Sequence, residues 1–363
     1  YIFFYNFYSF KIIFQNWCYG FPGKGQRDHF FQHSQLAEEK TEETLQEGLV
    51  MFQGMEYVYA VYQEKSFSRA AEKLFISQPS LSANVKRVEQ QVGYPIFDRS
   101  TKPLTLTECG RQYIRAVEKI RQAQSEFADF VSDWGGLRTG SLTLGGSSLF
   151  SSWILPPLMA DFARRYPGID VELVEETTGH LARMLQTGEV DLLLDNCELD
   201  SEIFDRCVFR RERLLLAVPR RLSVNQQLEA FQIPVEQIRD GSFLKPELPE
   251  VPLSVFREEP FILLKPENDT WKRALAIFQR NNLRPKVLFQ VDQQMTSYNI
   301  TSSGMGLSFI GDTLISCVPP HPDVVYYKLK GENSVRDIFF YWKRGRYLSR
   351  AMEEFLREMR KGQ

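Results

Sequence analysis

Metal-ligating and redox-active residues are scarce in this chain. The five cysteines (Cys18, Cys109, Cys197, Cys207, Cys317) form no CxxC pair, and the four histidines (His29, His33, His180, His321) do not join them at metal-ligand spacing. No metal centre, cofactor or disulfide framework is therefore expected, and the thiols read as those of a reduced, cytoplasmic protein. Net charge is also lacking: 44 Lys and Arg stand against 46 Asp and Glu, a formal charge of -2. Any affinity for nucleic acid must then come from local charge, because the chain as a whole offers none. Long apolar runs are missing too. The opening "YIFFYNFYSFKIIFQNWCYGF" is interrupted by Asn6, Lys11, Gln15 and Asn16 and has no basic start, so it falls short of the ~20 apolar residues of a membrane span and does not read as a signal peptide. No Ser-His-Asp order, phosphate loop or dinucleotide fingerprint is present, which argues against an enzyme.

At 363 residues with 43% hydrophobic content, the chain is large enough for two or three domains of ~100–200 residues, each with its own core. The first methionine is Met51 and regular patterning begins just after it. Residues 1–50 are accordingly read as upstream sequence ahead of the start, the alternative being an appendage in which "QLAEEKTEETLQEGL" forms an acidic helix.

The stretch "SFSRAAEKLFISQPSLSANVKRVE" (66–89) follows a short helix carrying Val58, Val61 and Tyr62. Ser68 is a candidate N-cap for a second helix with Ala70, Ala71 and Leu74 facing inward, the small alanines allowing close helix approach. Ser77 caps a third helix, with Pro79 in the first turn, where its missing N–H costs nothing. Leu81, Val85 and Val88 make one buried stripe, which leaves Gln78, Ser80, Ala83, Asn84, Lys86 and Arg87 off it or on its edges. That arrangement suits a helix that offers its start to base edges and its basic residues to phosphates. Between Lys65 and Lys102, seven basic residues stand against three acidic ones. Gly93 and Pro95 then break the helix, and Leu104 and Leu106 alternate with Thr105 and Thr107 as in a short strand, so 98–103 form the tip of a hairpin wing.

The run from Ser66 to Gly110 resembles the winged helix-turn-helix of LysR-type transcriptional regulators, in its Ser-Phe, Ala-Ala, Ser-Gln-Pro-Ser-Leu-Ser and Leu-Thr-x-x-Gly elements at family spacing. The resemblance implies base contacts from Gln78, Pro79 and Ser80, and backbone contacts from Ser77, Ser82, Lys86, Arg87 and the wing residue Arg99. One departure is Ala83, where the family often carries a long polar or basic side chain; a methyl contact to thymine is what remains there.

From Thr107 a segment free of Pro and Gly between Arg111 and Trp134 carries Cys109, Tyr113, Ala116, Ile120, Ala123, Phe127, Phe130 and Trp134 at alternating spacings of four and three. Such a heptad seam is that of a pairing helix, and a dimerising linker is also what the resemblance implies. Gly135, Gly136 and Gly140 mark a break after it.

Beyond the break, strands and helices alternate: "GSLTLGGSS", a helix from Trp153 to Arg165, "IDVELVEETTG", a helix from His180 to Gln186, and "VDLLLDN". The alternation points to a parallel sheet with crossover helices, which binds ligands beyond the carboxyl ends of its strands. Those ends carry Ser147 and Ser148, Thr177 and Thr178, and Asn196. The first two pairs precede helices whose free N–H groups suit an anion. A second lobe starts at "RLLLAVP" and offers Asn268 and Gln293 at comparable ends, and "TSSGMGLSFIGDTLI" resembles the same family's effector domain, similar in fold to periplasmic solute-binding proteins.

The expected architecture is α/β: residues 51–108 a winged helix-turn-helix DNA-binding domain, 109–136 a linker helix, and 141–363 a two-lobed effector domain (lobe I 141–212 and 311–363, lobe II 213–310). The expected function is a sequence-specific regulator modulated by a small-molecule effector, with double-stranded DNA as partner, pairing to a homodimer or homotetramer, contact with RNA polymerase, and no membrane.

Overall fold

The computed structural model describes residues 51–134 and 140–361. The readings of residues 1–50, of the break at Gly135 and Gly136 and of the Trp134 side chain lie outside what it describes. The chain divides into two compact units, one ending at Glu118 and the other beginning at Lys119.

In the first unit, α1 (Met55–Glu64), α2 (Phe67–Lys73) and α3 (Gln78–Val92) are followed by a two-stranded wing, β1 (Phe97–Asp98) and β2 (Thr105–Leu106), and by the start of α4 (Glu108–Trp134). Val58, Val61, Ala70, Leu81, Val85 and Val88 are fully buried, so the stripe expected on α3 is the surface the other two helices pack against. The N-cap of α2 is Ser66, whose side chain accepts the Arg69 N–H, and not Ser68; Phe67 lies within the helix, its ring edge-on to Phe97. The wing pairs antiparallel, Phe97 with Leu106 and Asp98 with Thr105. Gly110 is required where α4 meets the wing, because a Cβ there would lie 2.0 Å from the Ile96 carbonyl oxygen.

The second unit contains β3 (Gly140–Gly146), α5 (Leu155–Arg165), β4 (Ile169–Glu175), α6 (Thr178–Thr187), β5 (Leu192–Asp195), β6 (Phe204–Pro219), β7 (Gln232–Ile233), α7 (Val235–Arg239), β8 (Pro260–Leu264), α8 (Asp269–Arg280), β9 (Lys286–Val291), α9 (Gln294–Ser302), β10 (Leu307–Gly311), α10 (Asp312–Cys317), β11 (Val324–Lys328), β12 (Val335–Lys343) and α11 (Arg350–Lys361). Two β-α-β-α-β repeats are visible. In the first, parallel strands lie in the order β4-β3-β5, and in the second in the order β9-β8-β10. In each repeat the inner strands are covered on both faces, while the edge strands β4 and β9 are largely exposed. Leu192 and Leu194 of β5 pack with Phe162 and Phe355, whereas Leu193 between them packs with Leu181 and Tyr341. This period of two is what a strand covered on both sides demands.

The repeats are joined through β6, which is one continuous strand. Its residues up to Arg213 pair antiparallel with β12, and from Leu214 onward they pair with β10. The first crossing therefore lies at 213–214, next to the expected start of lobe II at 213. The return does not lie at 311. Residues 324–328 pair with 215–219 of β6 and, through Tyr326 and Tyr327, with β7, so β11 belongs to the second sheet, and only β12 brings the chain back to the first. The Trp153–Arg165 helix is also modified, beginning as a π-helical turn at Phe150–Ile154 before α5.

The half of α4 in this unit lies along lobe I. Arg346, its side chain 1% exposed, bonds Asp191 at 2.5 Å and Asp129 of α4 at 3.4 Å. Asp133 accepts from Tyr347 Oη and the Arg350 N–H, and Lys343 Nζ donates to Gln122.

Candidate functional site

Ser77 caps α3, its side chain accepting the Ser80 N–H at 3.3 Å, and Pro79 stands in the first turn. Ser77, Gln78, Pro79 and Ser80 are all exposed, and so are Lys86 and Arg87, while Ser82 is half-buried. The capped start of α3 thus projects exposed side chains, as a groove-reading helix must. Two basic side chains already have partners. Arg87 donates to Asn84 Oδ1 at 3.2 Å. Arg99 pairs with Glu89 through Nη2 at 3.0 Å and lies over the Phe67 ring; a guanidinium has five N–H donors, so this bond does not by itself keep it from a phosphate.

In the second unit Ser147 and Ser148 follow β3, Thr177 is the N-cap of α6 and Thr178 its first residue, and Asn196 follows β5. Because these three strands are neighbours and parallel, their carboxyl ends share one edge. Thr178 Oγ1 donates to Asp195 Oδ2 at 2.8 Å, tying the second end to the third, and Asp195 Oδ1 accepts the Cys197 N–H at 2.7 Å. Burial raises the Asp195 carboxyl above its usual value against the pull of these donors. Two groups an anion would have used are engaged: Thr178 Oγ1, and the Thr177 N–H, which faces Glu176 Oε2 at 3.3 Å.

The second repeat mirrors the first. Asn268 caps α8 by accepting the Thr270 N–H at 3.0 Å, and Gln293 stands at the cap of α9. The third end of this lobe is Gly311–Asp312, the counterpart of Asn196, and it was missed in the sequence. Asp312 accepts the Arg213 N–H at 3.1 Å, and burial together with the nearby Glu212 charge pushes its carboxyl up to about 6. Gln294 Oε1 accepts the Gly311 N–H.

Between the two sets of ends lies a buried ionic cluster. Arg336 on β12 bonds Glu212 on β6 at 2.5 Å, Asp269 at 3.1 Å and Thr270 Oγ1 at 2.9 Å. The Arg336 and Glu212 side chains are 1% and 0% exposed, and the two residues are cross-strand partners. Burial works against the guanidinium charge, yet Glu212 and Asp269 outweigh it and hold Arg336 above the ordinary arginine value. Arg273 adds a bond to Asp269 at 2.6 Å. Burial, then the charges of Asp195 and Asp269, push the Cys197 thiol up to about 11, so a residue of lobe I feels carboxylates of both lobes. The sequence signal for this cluster is slight: a single arginine inside the apolar strand "VRDIFFYW". A separate pocket of about 560 Å³ between β7 and β11, lined by Gln232, Pro234, His321 and Val325 among others, contains none of the residues at the strand ends.

Among the described residues no helix is long and apolar enough to cross a membrane. The seam of α4 is buried at Tyr113, but its Phe127 is 68% exposed, as is the adjacent-face Val131 at 54%; Phe130 sets its ring edge-on to Tyr347.

Comparison with known proteins agrees with this layout. The chain is 27% identical over 302 residues to an uncharacterized HTH-type transcriptional regulator, YcgK, of Bacillus subtilis (strain 168), covering 83% of this chain and 91% of that one. It is 25% identical over 307 residues to a probable RuBisCO transcriptional regulator of Gracilaria tenuistipitata var. liui, covering 83% and 92%. Its fold resembles full-length CbnR complexed with its target DNA (TM-score 0.57, 18% identity, 86% of this chain and 99% of that one). It also resembles a full-length OxyR variant from Pseudomonas aeruginosa (TM-score 0.59, 21% identity, 85% and 93%). The model of the bacterial regulatory helix-turn-helix protein of the lysR family matches residues 52–111, and that of the LysR substrate binding domain matches residues 135–363. With a winged helix-turn-helix at one end and a two-lobed α/β domain at the other, the chain belongs to the LysR family of DNA-binding transcriptional regulators with an effector-binding domain.

Proposed function

We propose that Gln78, Pro79 and Ser80 read base edges from the start of α3, while Ser77, Ser82, Lys86, Arg87 and the wing residue Arg99 hold the phosphates. The observation that carries this reading is the exposed, Ser77-capped start of α3 set on a fully buried Leu81-Val85-Val88 stripe. A small-molecule effector is proposed at the facing strand ends, touching Ser147, Ser148, Thr177, Thr178 and Asn196 from lobe I and Asn268 and Gln293 from lobe II. The exposed Phe127 and Val131 side chains of α4 support pairing with a second copy, as a dimer or within a tetramer. The chain acts in this reading as a cytoplasmic regulator, not an enzyme, that contacts RNA polymerase from its DNA site.

Fluorescence anisotropy with duplexes selected by the chain from a random-sequence library tests the assignment. Gln78→Ala is expected to change which sequences are preferred, a bidentate base contact contributing ~1–3 kcal/mol of discrimination. Lys86→Ala is expected to weaken all duplexes about equally and to lower the slope of affinity against salt by about one. Equal effects of both substitutions on preference would sink the division of roles.

A further inference from the structure

Among the described residues the most exposed large apolar side chain is Phe75, at 95%. It sits in the turn between α2 and α3, two residues before the Ser77 cap, with a left-handed backbone at φ 54. For an L-residue that conformation costs roughly 1–2 kcal/mol and is ordinarily given to glycine. The turn is fixed from both sides: Phe75 N–H donates to the Glu72 carbonyl at 3.1 Å and Ile76 N–H to the Ala71 carbonyl at 3.0 Å. Ile76 is half-buried, so the turn sends one apolar side chain inward and the other out. An aromatic ring held outward at a position that would be less strained as glycine combines a backbone cost with a hydration cost. Cost of this kind concentrates where a side chain meets a ligand.

The place of the ring identifies that ligand. Successive Cα atoms are about 3.8 Å apart, which keeps Phe75 within ~8 Å of the Ser77 cap. When the start of α3 enters a major groove about 12 Å wide, the residue two positions earlier stands at the groove's edge. The apolar group presented by the major groove is the C5 methyl of thymine. We propose that Phe75 is a further specificity-determining residue of this regulator, its ring packing on a thymine methyl at the edge of the site read by Gln78, Pro79 and Ser80. The contact supplies preference for thymine without a hydrogen bond and without neutralising a phosphate.

The test uses the full chain and a duplex that it selects from a random-sequence library. Failure to select any sequence would defeat the base-reading assignment itself, independently of Phe75. Given a selected duplex, Phe75→Gly removes the ring and relieves the backbone, so its melting temperature should equal or exceed that of the parent. Its affinity should fall about tenfold, as expected for losing a partly buried aromatic surface, with the slope of log affinity against log salt unchanged because no phosphate contact is lost. Thymines are then replaced singly by deoxyuridine, which removes only the methyl. At one position the replacement should weaken the parent severalfold and leave Phe75→Gly unaffected. Affinity of Phe75→Gly within twofold of the parent, a flattened salt slope, or a parent indifferent to every deoxyuridine would overturn the proposal. So would loss of the oligomer by Phe75→Gly in native mass spectrometry with DNA affinity per assembled particle retained, since the ring would then belong to an interface between copies.

Discussion

Replacing Arg336 with methionine tests whether the strands joining the two lobes are held by charge. The substitution removes a 2.5 Å bond to Glu212, a 3.1 Å bond to Asp269 and a 2.9 Å bond to Thr270 Oγ1. Asp269 keeps Arg273. Among the described residues Glu212 keeps no ion-pair partner, and its Oε1 is already a buried atom without a hydrogen-bond partner. Removing one member of a buried pair costs about 3–5 kcal/mol, because the charge left behind is neither solvated nor compensated. The double substitution Glu212→Leu with Arg336→Met leaves neither charge of the pair to bury and should recover most of the loss, since apolar replacement of both partners is often neutral or better. Urea unfolding of the full chain followed by circular dichroism at pH 7 measures all three proteins. A single variant within about 1 kcal/mol of the parent at neutral pH, or a double variant no better than the single, would refute the claim that Glu212 depends on Arg336.

Two other perturbations probe different parts of the molecule. Asp312, pushed up to about 6 from 3.8 by burial and by Glu212, disfavours the folded state once ionised, so its unfavourable contribution is absent below pH ~4 and grows as pH rises through about 6. Asp312→Asn should therefore stabilise the chain at pH 7 by up to ~3 kcal/mol while changing little at pH 4, at ~1.36 kcal/mol per pKa unit; parallel stability curves for variant and parent would contradict this. Gly110→Ala places a methyl 2.0 Å from the Ile96 carbonyl oxygen, a contact with backbone that no rotamer relieves. Loss of ~3 kcal/mol or more is expected, read as a lower melting temperature of the first unit, and a variant as stable as the parent would show that α4 and the wing can separate without cost.

The parts of this fold that were legible in the sequence are those decided by neighbours. Ser77 as a cap, Pro79 in the first turn and the Leu81-Val85-Val88 stripe depend only on residues within two turns of helix, and the strand–helix alternation after Gly140 depends on local periodicity. The errors have non-local causes. Ser66 and Ser68 are equally good caps by sequence, and the choice falls to Ser66 because the Phe67 ring must turn inward to meet Phe97, thirty positions along the chain. Val324–Lys328 is buried at every position, so its pattern states that it is a strand between covered faces but not which sheet it joins. Arg336 was passed over because a charge in a strand is ordinarily solvated, and its partner Glu212 lies 124 residues away.

That pair also explains how one strand serves two sheets. Glu212 pairs across to Arg336 in the first sheet, and only two residues later Leu214 pairs to Gly311 in the second, so β6 changes partners within a single repeat of the pleat. At such a point apolar packing alone would permit several seatings, because apolar contacts have no direction. Arg336 is directional: its three bonds reach β6 at Glu212 and the start of α8 at Asp269 and Thr270, which fixes the return strand against both lobes. Gly311 completes the fit, since a Cβ there would lie 2.1 Å from Glu212 Oε1, and its absence lets the carboxylate sit against the backbone that leads into Asp312. The strand ends of both lobes, Asp195 in one and Asp312 in the other, stand around this one buried pair. A ligand that draws those ends together therefore acts on strands whose relative position is already set by charge, and Asp191, immediately before the neighbouring β5, is bonded to the Arg346 that holds Asp129 of α4. The path from the ends to the linker helix is thus one four-residue strand, ~10–13 Å at ~3.3 Å per residue, with an ionic contact at its far end and hydrogen-bonded side chains at its near one.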